Sequence, residues 1–212
     1  MPAERSKLMD VLVDDLEHLR SPVEVSLGTG VRKITELLEL RIENVNFSGL
    51  SIFRRANGRD VEVRPNWFLL VDTKGKGGKG PRHRLIPMNV PVRKALRRVI
   101  QSRTKGCVFD RDQAGLSERI LRRGFEKACE RAEIPFGLTV EGGLIWHDLR
   151  RTFATELRGR QVHEYDISDL LGHTIQSVTG TYARSTPEAL EDAVNKLEEP
   201  RGNVIKFKRK AG

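Results

Sequence analysis

Cysteine is scarce in this chain of 212 residues: Cys107 and Cys129 are the only two. Two thiols this far apart exclude a disulfide scaffold or a zinc knuckle, and they fit a reducing compartment. Aromatics make up 6% of the chain, with two tyrosines, Tyr165 and Tyr182, and two tryptophans. No apolar run approaches the roughly 20 residues that a membrane-spanning helix needs. The first ten residues, MPAERSKLMD, lack the apolar segment of a secretory signal, so a cytoplasmic protein is expected. There is no phosphate-cradling P-loop and no acidic cluster for a catalytic metal pair. No internal repeat and no long low-complexity segment interrupts the chain.

Basic charge, in contrast, is abundant. Lys plus Arg total 38 against 29 Asp plus Glu, a formal charge of +9 with a pI near 9.9. The surplus is concentrated. Residues 91–131 hold twelve basic and five acidic side chains, and residues 74–84 (KGKGGKGPRHR) hold five basic ones and no acid. The end, KFKRKAG, adds four more. Such a face suits a polyanion, although any single Lys or Arg is more often simply solvated. Lys76, Lys79, Arg82, Arg84, Arg93 and Arg97 are the candidate phosphate-backbone contacts.

Periodicity organises the rest. Leu8, Leu12, Leu16 and Leu19 predict an amphipathic helix over 7–19, and Ile34, Leu37, Leu38 and Ile42 predict a second over 32–42. Residues 50–53, 60–64, 67–73 and 83–88 are short β-prone runs punctuated by Asn57-Gly58, Pro65-Asn66 and the glycine-rich KGKGGKG, and they predict a small antiparallel sheet of about three strands. Helical patterns return at 92–101, 117–132, 148–158, 166–171, 174–184 and 187–197. Ser117 and Thr186 stand at N-cap positions and Gly172 at a stop. The expected fold is α+β, mostly α: one helical domain over 1–200 with a small inserted antiparallel sheet, then a basic tail over 201–212. The last helix, with Leu190, Val194 and Leu197 on one stripe, suits either a groove on a neighbour or its own domain.

The chemistry concentrates in residues 147–182. His147 and Arg150 lie three apart at a helix start and share a face. His173 follows the stop at Gly172, and Tyr182 comes nine residues later. Upstream, Thr29-Gly30-Val31-Arg32 supplies another arginine. Guanidinium forks match the non-bridging oxygens of a phosphate. Histidines move protons near neutral pH, and a tyrosine hydroxyl can hold phosphorus covalently. The set suits metal-free phosphoryl transfer through a phosphotyrosine. Neither histidine has further ligands at metal spacing, so no metal or other cofactor is expected. Alone, each residue has a bland reading: Tyr182 as a half-buried packing group, the histidines as satisfied core residues, Trp146 and Trp67 as core.

Thr29-Gly30-Val31-Arg32, His147-Asp148-Leu149-Arg150, Leu171-Gly172-His173 and Tyr182, in this order and spacing, resemble the tyrosine recombinases, or phage-type integrases. The resemblance covers nearly the whole chain. It implies that Arg32 and Arg150 clamp a scissile phosphate, that His147 accepts a proton or a hydrogen bond, that His173 bonds a phosphate oxygen, and that Tyr182 is the nucleophile. It also implies a general acid on the hairpin: Lys74 is the first choice, with Lys76 and Lys79 as alternatives. The family's acidic helper usually follows the first arginine by three residues. Here that position is Thr35, and the next residue, Glu36, is taken as the auxiliary acid. The implied partner is double-stranded DNA, bound by a homotetramer, with no metal and no ATP. The family's N-terminal core-binding domain has no counterpart in the 31 residues before Arg32. Two rivals stand beside this reading: a type IB topoisomerase and a DNA-binding relative impaired in catalysis.

Overall fold

The computed structural model describes residues 2–32, 36–72, 82–109, 116–173 and 185–198. Helix α1 (Pro2–Asp10) is followed by a 3-10 turn at Asp14–Leu19, then by α2 (Arg20–Thr29). The expected continuous helix over 7–19 is thus broken, and Asp14 at the break has φ 51°. Its leucine stripe is still buried, because Leu8, Leu12, Leu16 and Leu19 all reach the main core. Helix α2 escapes helical periodicity: it carries Pro22 in its first turn and Gly28 near its end. Gly28 permits a close crossing, since a Cβ there would lie 2.3 Å from Val92 Cγ2 of α3 (Val90–Ile100).

Of the helix expected over 32–42, residues 33–35 lie outside the described residues, and residues 36–42 do not form a regular α-helix. The Leu37 N–H donates to Arg32 O at 2.8 Å, a wide i→i+5 turn, and Leu40 and Ile42 bond in extended form to Val108 and Gly106. Leu37, Leu38 and Ile42 are buried all the same. Core burial produced the periodicity, and tertiary pairing of the backbone decided its conformation.

All four β-prone runs are strands: β1 (Ile52–Ala56), β2 (Arg59–Val63), β3 (Trp67–Asp72) and β4 (Arg82–Pro87). They form two antiparallel hairpins rather than one three-stranded sheet. Asn57 (φ 52°) and Gly58 (φ 76°) make the two-residue turn of the first hairpin, which needs positive φ at both positions to match strand twist. In the second hairpin Phe68 pairs Ile86 and Leu70 pairs Arg84. The period of two therefore puts Phe68, Leu70, Arg84 and Ile86 on the face that meets the helices. Trp67, Leu69 and Leu85 fall on the other face and join Val61 and Val63 of β2 in a separate cluster.

Helices α3, α4 (Glu118–Arg131), α5 (Trp146–Gly159), α6 (Glu164–Leu171) and α7 (Pro187–Asn195) stand close to their expected positions. Their caps explain why. Asn89, Ser117 and Thr186 side chains accept from backbone N–H groups of Val92, Ile120 and Ala189, and Asp148 accepts from Ile145 N at 2.8 Å. The His163 ring caps α6, accepting from Tyr165 N. Helix α7 lies on its own domain. Ala193 and Val194 are buried, Glu188 pairs with Arg64, Glu191 accepts from Trp67 Nε1 at 2.5 Å, and Asn89 Nδ2 donates to Val194 O. The segment expected as helix over 174–184, and the tail over 201–212, fall outside the described residues.

Candidate active site

The site forms where α2 ends, α5 begins, α6 ends and β4 passes beneath. Helix α2 stops at Gly30, whose φ of 64° is left-handed and whose N–H donates to Ser26 O. A Cβ at Gly30 would lie 2.6 Å from Phe153 Cδ1 and 2.9 Å from Leu171 Cδ2. Only glycine meets both demands, so the Thr-Gly-Val-Arg stretch is a helix stop that delivers Arg32. Gly172 repeats the device at the end of α6 with φ 67°, and delivers His173.

Arg32 donates from its backbone N–H to Glu36 Oε2 at 2.7 Å and from Nη1 to Glu36 Oε1 at 2.8 Å. The wide turn between Arg32 and Leu37 absorbs one extra residue, as π-type turns do. This explains how the acid at the fourth position, rather than the third, comes to face the arginine.

Arg150 is buried, with 6% of its side chain exposed. It donates from Nη1 to Gly30 O at 2.6 Å and from Nη2 to Leu171 O at 2.5 Å, tying together the ends of α2 and α6. Its Nη2 also lies 3.1 Å from His173 Nε2. A guanidinium can only donate, so Nε2 accepts and the His173 proton sits on Nδ1. Burial, with help from Arg84, lowers the Arg150 pKa to about 10, which leaves it charged at neutral pH.

Arg84 belongs to this group. Sequence reasoning placed it among surface DNA contacts, but its side chain is only 12% exposed and its Nη2 donates to Glu36 Oε2 at 2.8 Å. The signal was in the strand: Arg84 shares a face with Ile86, which is fully buried. Glu36, 6% exposed, thus meets three guanidiniums, with Arg150 Nη1 at 3.8 Å. Arg32 is the open member, at 42%.

Both histidines are exposed as whole residues, with each ring partly desolvated on its inner side. Burial, then the neighbouring Arg151 and Arg150, push the His147 pKa below the ordinary histidine value. Burial, then Arg150, Arg32 and Arg84, do the same for His173. Both rings are therefore neutral at pH 7, able to accept a proton or a hydrogen bond.

Lys74, Lys76, Lys79 and Tyr182 lie outside the described residues. Of Arg82 the strand pairing with Asp72 is described. Arg93 is half-buried beside a groove between the second hairpin and α7. Arg97 is exposed, 4.5 Å over the Phe47 ring. Among the described residues no group of three or more His, Cys, Asp or Glu side chains is placed to hold a metal, and no helix is long and apolar enough to cross a membrane.

The described residues thus form a helical domain with inserted hairpins and a buried arginine–carboxylate cluster beside two histidines, an arrangement suited to a phosphate-bearing ligand. Residues 2–189 match the phage integrase family, and the chain belongs to that family. Tyrosine recombinase XerA of Pyrococcus furiosus is 29% identical over 199 residues, covering 91% of this chain and 59% of that protein. Tyrosine recombinase XerC of Oceanobacillus iheyensis is 30% identical over 192 residues, covering 85% of this chain and 53% of that protein. The chain therefore spans little more than half the length of these relatives. Among solved structures, the Tn1549 transposon integrase in complex with circular intermediate DNA superimposes with a TM-score of 0.58 at 20% identity, over 89% of this chain and 61% of that one. The XerA recombinase crystal structure gives 0.54 at 21% identity, over 94% and 64%. These last two likenesses establish the fold.

Proposed function

We propose that this chain is the catalytic part of a site-specific DNA recombinase that breaks and rejoins strands through a 3′-phosphotyrosyl intermediate at Tyr182. The observation that carries the reading is the three-to-one cluster of Arg32, Arg84 and Arg150 around Glu36, which holds two more positive charges than negative ones. Such a surplus is costly in a mostly buried site, and a bound phosphate relieves it. The relatives named as tyrosine recombinases, and the integrase solved with DNA, support the same partner.

In this mechanism Arg32, the exposed arginine, and Arg150 hold the non-bridging oxygens of one phosphodiester. The Tyr182 hydroxyl attacks phosphorus, the bond from phosphorus to the 5′ oxygen breaks, and a 3′-phosphotyrosine forms. His147, neutral at pH 7, takes the tyrosine proton. Lys74, or Lys76 or Lys79 from the same hairpin, gives a proton to the departing 5′ oxygen. His173 donates through one ring nitrogen to a phosphate oxygen. The phosphoester energy stays in the phosphotyrosine, so a 5′-hydroxyl can reverse the step without ATP. Charge built up on phosphorus is met by guanidiniums already in place. The working form is a homotetramer on two duplex sites, in the cytoplasm of a bacterium, archaeon or phage-infected host.

The test uses a pool of randomised, labelled duplexes, each with a nick that lets a cleaved end diffuse away. In EDTA the protein should form a denaturation-resistant adduct that Tyr182→Phe abolishes. Retarded DNA with no adduct from the wild-type chain would overturn the proposal.

A further inference from the structure

Arg84 has features that phosphate clamping by Arg32 and Arg150 does not use. It is a charged residue on the helix-facing side of β4, opposite Leu70 and one step from Ile86. Its Nη2 bonds Glu36, yet its Nε and Nη1 are buried with no hydrogen-bond partner among the described residues. It passes directly under Gly172: a Cβ there would lie 2.9 Å from Arg84 Nη1 and 3.1 Å from its Cδ. One side chain therefore braces the carboxylate that holds Arg32 and the turn that presents His173. A buried guanidinium with idle donors is expensive, and an apolar residue would pack more cheaply on that strand face.

We propose, on the strand-transfer reading above, that Arg84 is a positioning residue for the phosphate site, fixing Glu36 against Arg32 and cancelling its charge. With Arg84 present, Glu36 is neutralised and Arg32 and Arg150 keep their full charge for the phosphate. Attack on a phosphodiester raises the charge on its oxygens from one negative unit toward two, so a two-unit surplus matches the transition state better than the ground state. Without Arg84, the Glu36 carboxylate draws on Arg32 and Arg150, the surplus falls by half, and Arg32 loses its fixed partner. In this role Arg84 acts through its bond to Glu36 rather than through a contact with the DNA.

The experiment is single-turnover adduct formation at saturating DNA, on the nicked duplex recovered from the randomised pool. Duplex affinity and thermal unfolding are measured alongside. Arg84→Gln should bind DNA as the wild type does but form adduct about 100-fold more slowly, the scale of loss that follows slight misplacement of a clamping group. Arg84→Lys keeps the charge and can make the single bond to Glu36, so it should recover most of that rate. The double variant Arg84→Gln with Glu36→Gln restores the surplus of two, so it should be no slower than Arg84→Gln alone. A merely structural Arg84 would instead lower the unfolding temperature while leaving the rate of the bound, folded enzyme unchanged, and that result overturns the proposal. So does a double variant whose losses multiply, or an Arg84→Lys as slow as Arg84→Gln. Should Arg84→Gln not fold, the Lys variant and the double variant decide alone. A wild-type chain that forms no adduct removes the strand-transfer reading itself, and this proposal with it.

Discussion

Glu36→Gln removes the carboxylate from a site of three guanidiniums, and its cost can be worked out beforehand. Arg84 and Arg150 are 12% and 6% exposed, and neither can shed its proton at neutral pH. Arg32 is 42% exposed, so water screens its share. Breaking a buried ion pair by deleting one partner costs about 3–5 kcal/mol, because a buried charge is left uncompensated. Glutamine keeps one oxygen that can accept from Arg32 N or Arg84 Nη2, so the lower end, about 3 kcal/mol, is expected. At about 2–4 °C per kcal/mol for a chain of this size, the unfolding temperature should fall by about 6–12 °C. The variant should also respond more strongly to anions. With its own carboxylate gone, the cluster holds three uncompensated charges instead of two, so sulfate should stabilise it more than it stabilises the wild type. Circular dichroism melts with and without sulfate, at matched ionic strength with chloride, measure both effects. A fall under about 2 °C, or an equal sulfate response, would refute the claim that Glu36 is the counter-charge of this site.

Three other outcomes follow from particular positions. Gly30→Ala forces a left-handed φ of 64° on a residue with a Cβ and drives that atom to 2.6 Å from Phe153 Cδ1; a loss of about 2–4 kcal/mol is expected in urea unfolding. His173 should titrate below the ordinary 6.5 when followed by NMR. Because the unfolded chain then takes up the proton first, this residue makes stability fall as pH drops below 6.5, whereas a midpoint above 6.5 would contradict the Arg150 contact. Burial and then Glu126 push the Cys129 thiol up to about 12, so iodoacetamide at pH 8 should label half-buried Cys107 in the folded protein and Cys129 only after denaturation.

What the sequence made legible is local in origin. Ser117, Thr186 and Asn57-Gly58 act through their own backbone neighbours, so the helices and the hairpin they control stand near their expected places. Gly172 was readable as a stop for the same reason, and with it the placement of His173. The failures all depend on long-range contacts. Leu37, Leu38 and Ile42 follow helical spacing, yet residues 40–42 pair with 106–108, and nothing within the segment announces that partner. Helix α2 owes its stability to burial of Val23, Val25 and Leu27 rather than to propensity. Arg84 looked like one more cation in a basic run, and only the register of β3 with β4 turns it inward. Glu36 could be named as the auxiliary acid, but the wide turn that aims it at Arg32 could not be foreseen.

The most direct test of strand transfer is the chemical identity of the covalent link. The chain has two tyrosines, and trypsin would release both in one peptide, 161–184. After nuclease trimming of the trapped adduct, fragmentation of that peptide by mass spectrometry locates the nucleotide. Strand transfer as proposed requires a 3′-linked nucleotide on Tyr182 and none on Tyr165. A nucleotide on Tyr165, on a serine or threonine, or joined through its 5′ end would contradict it.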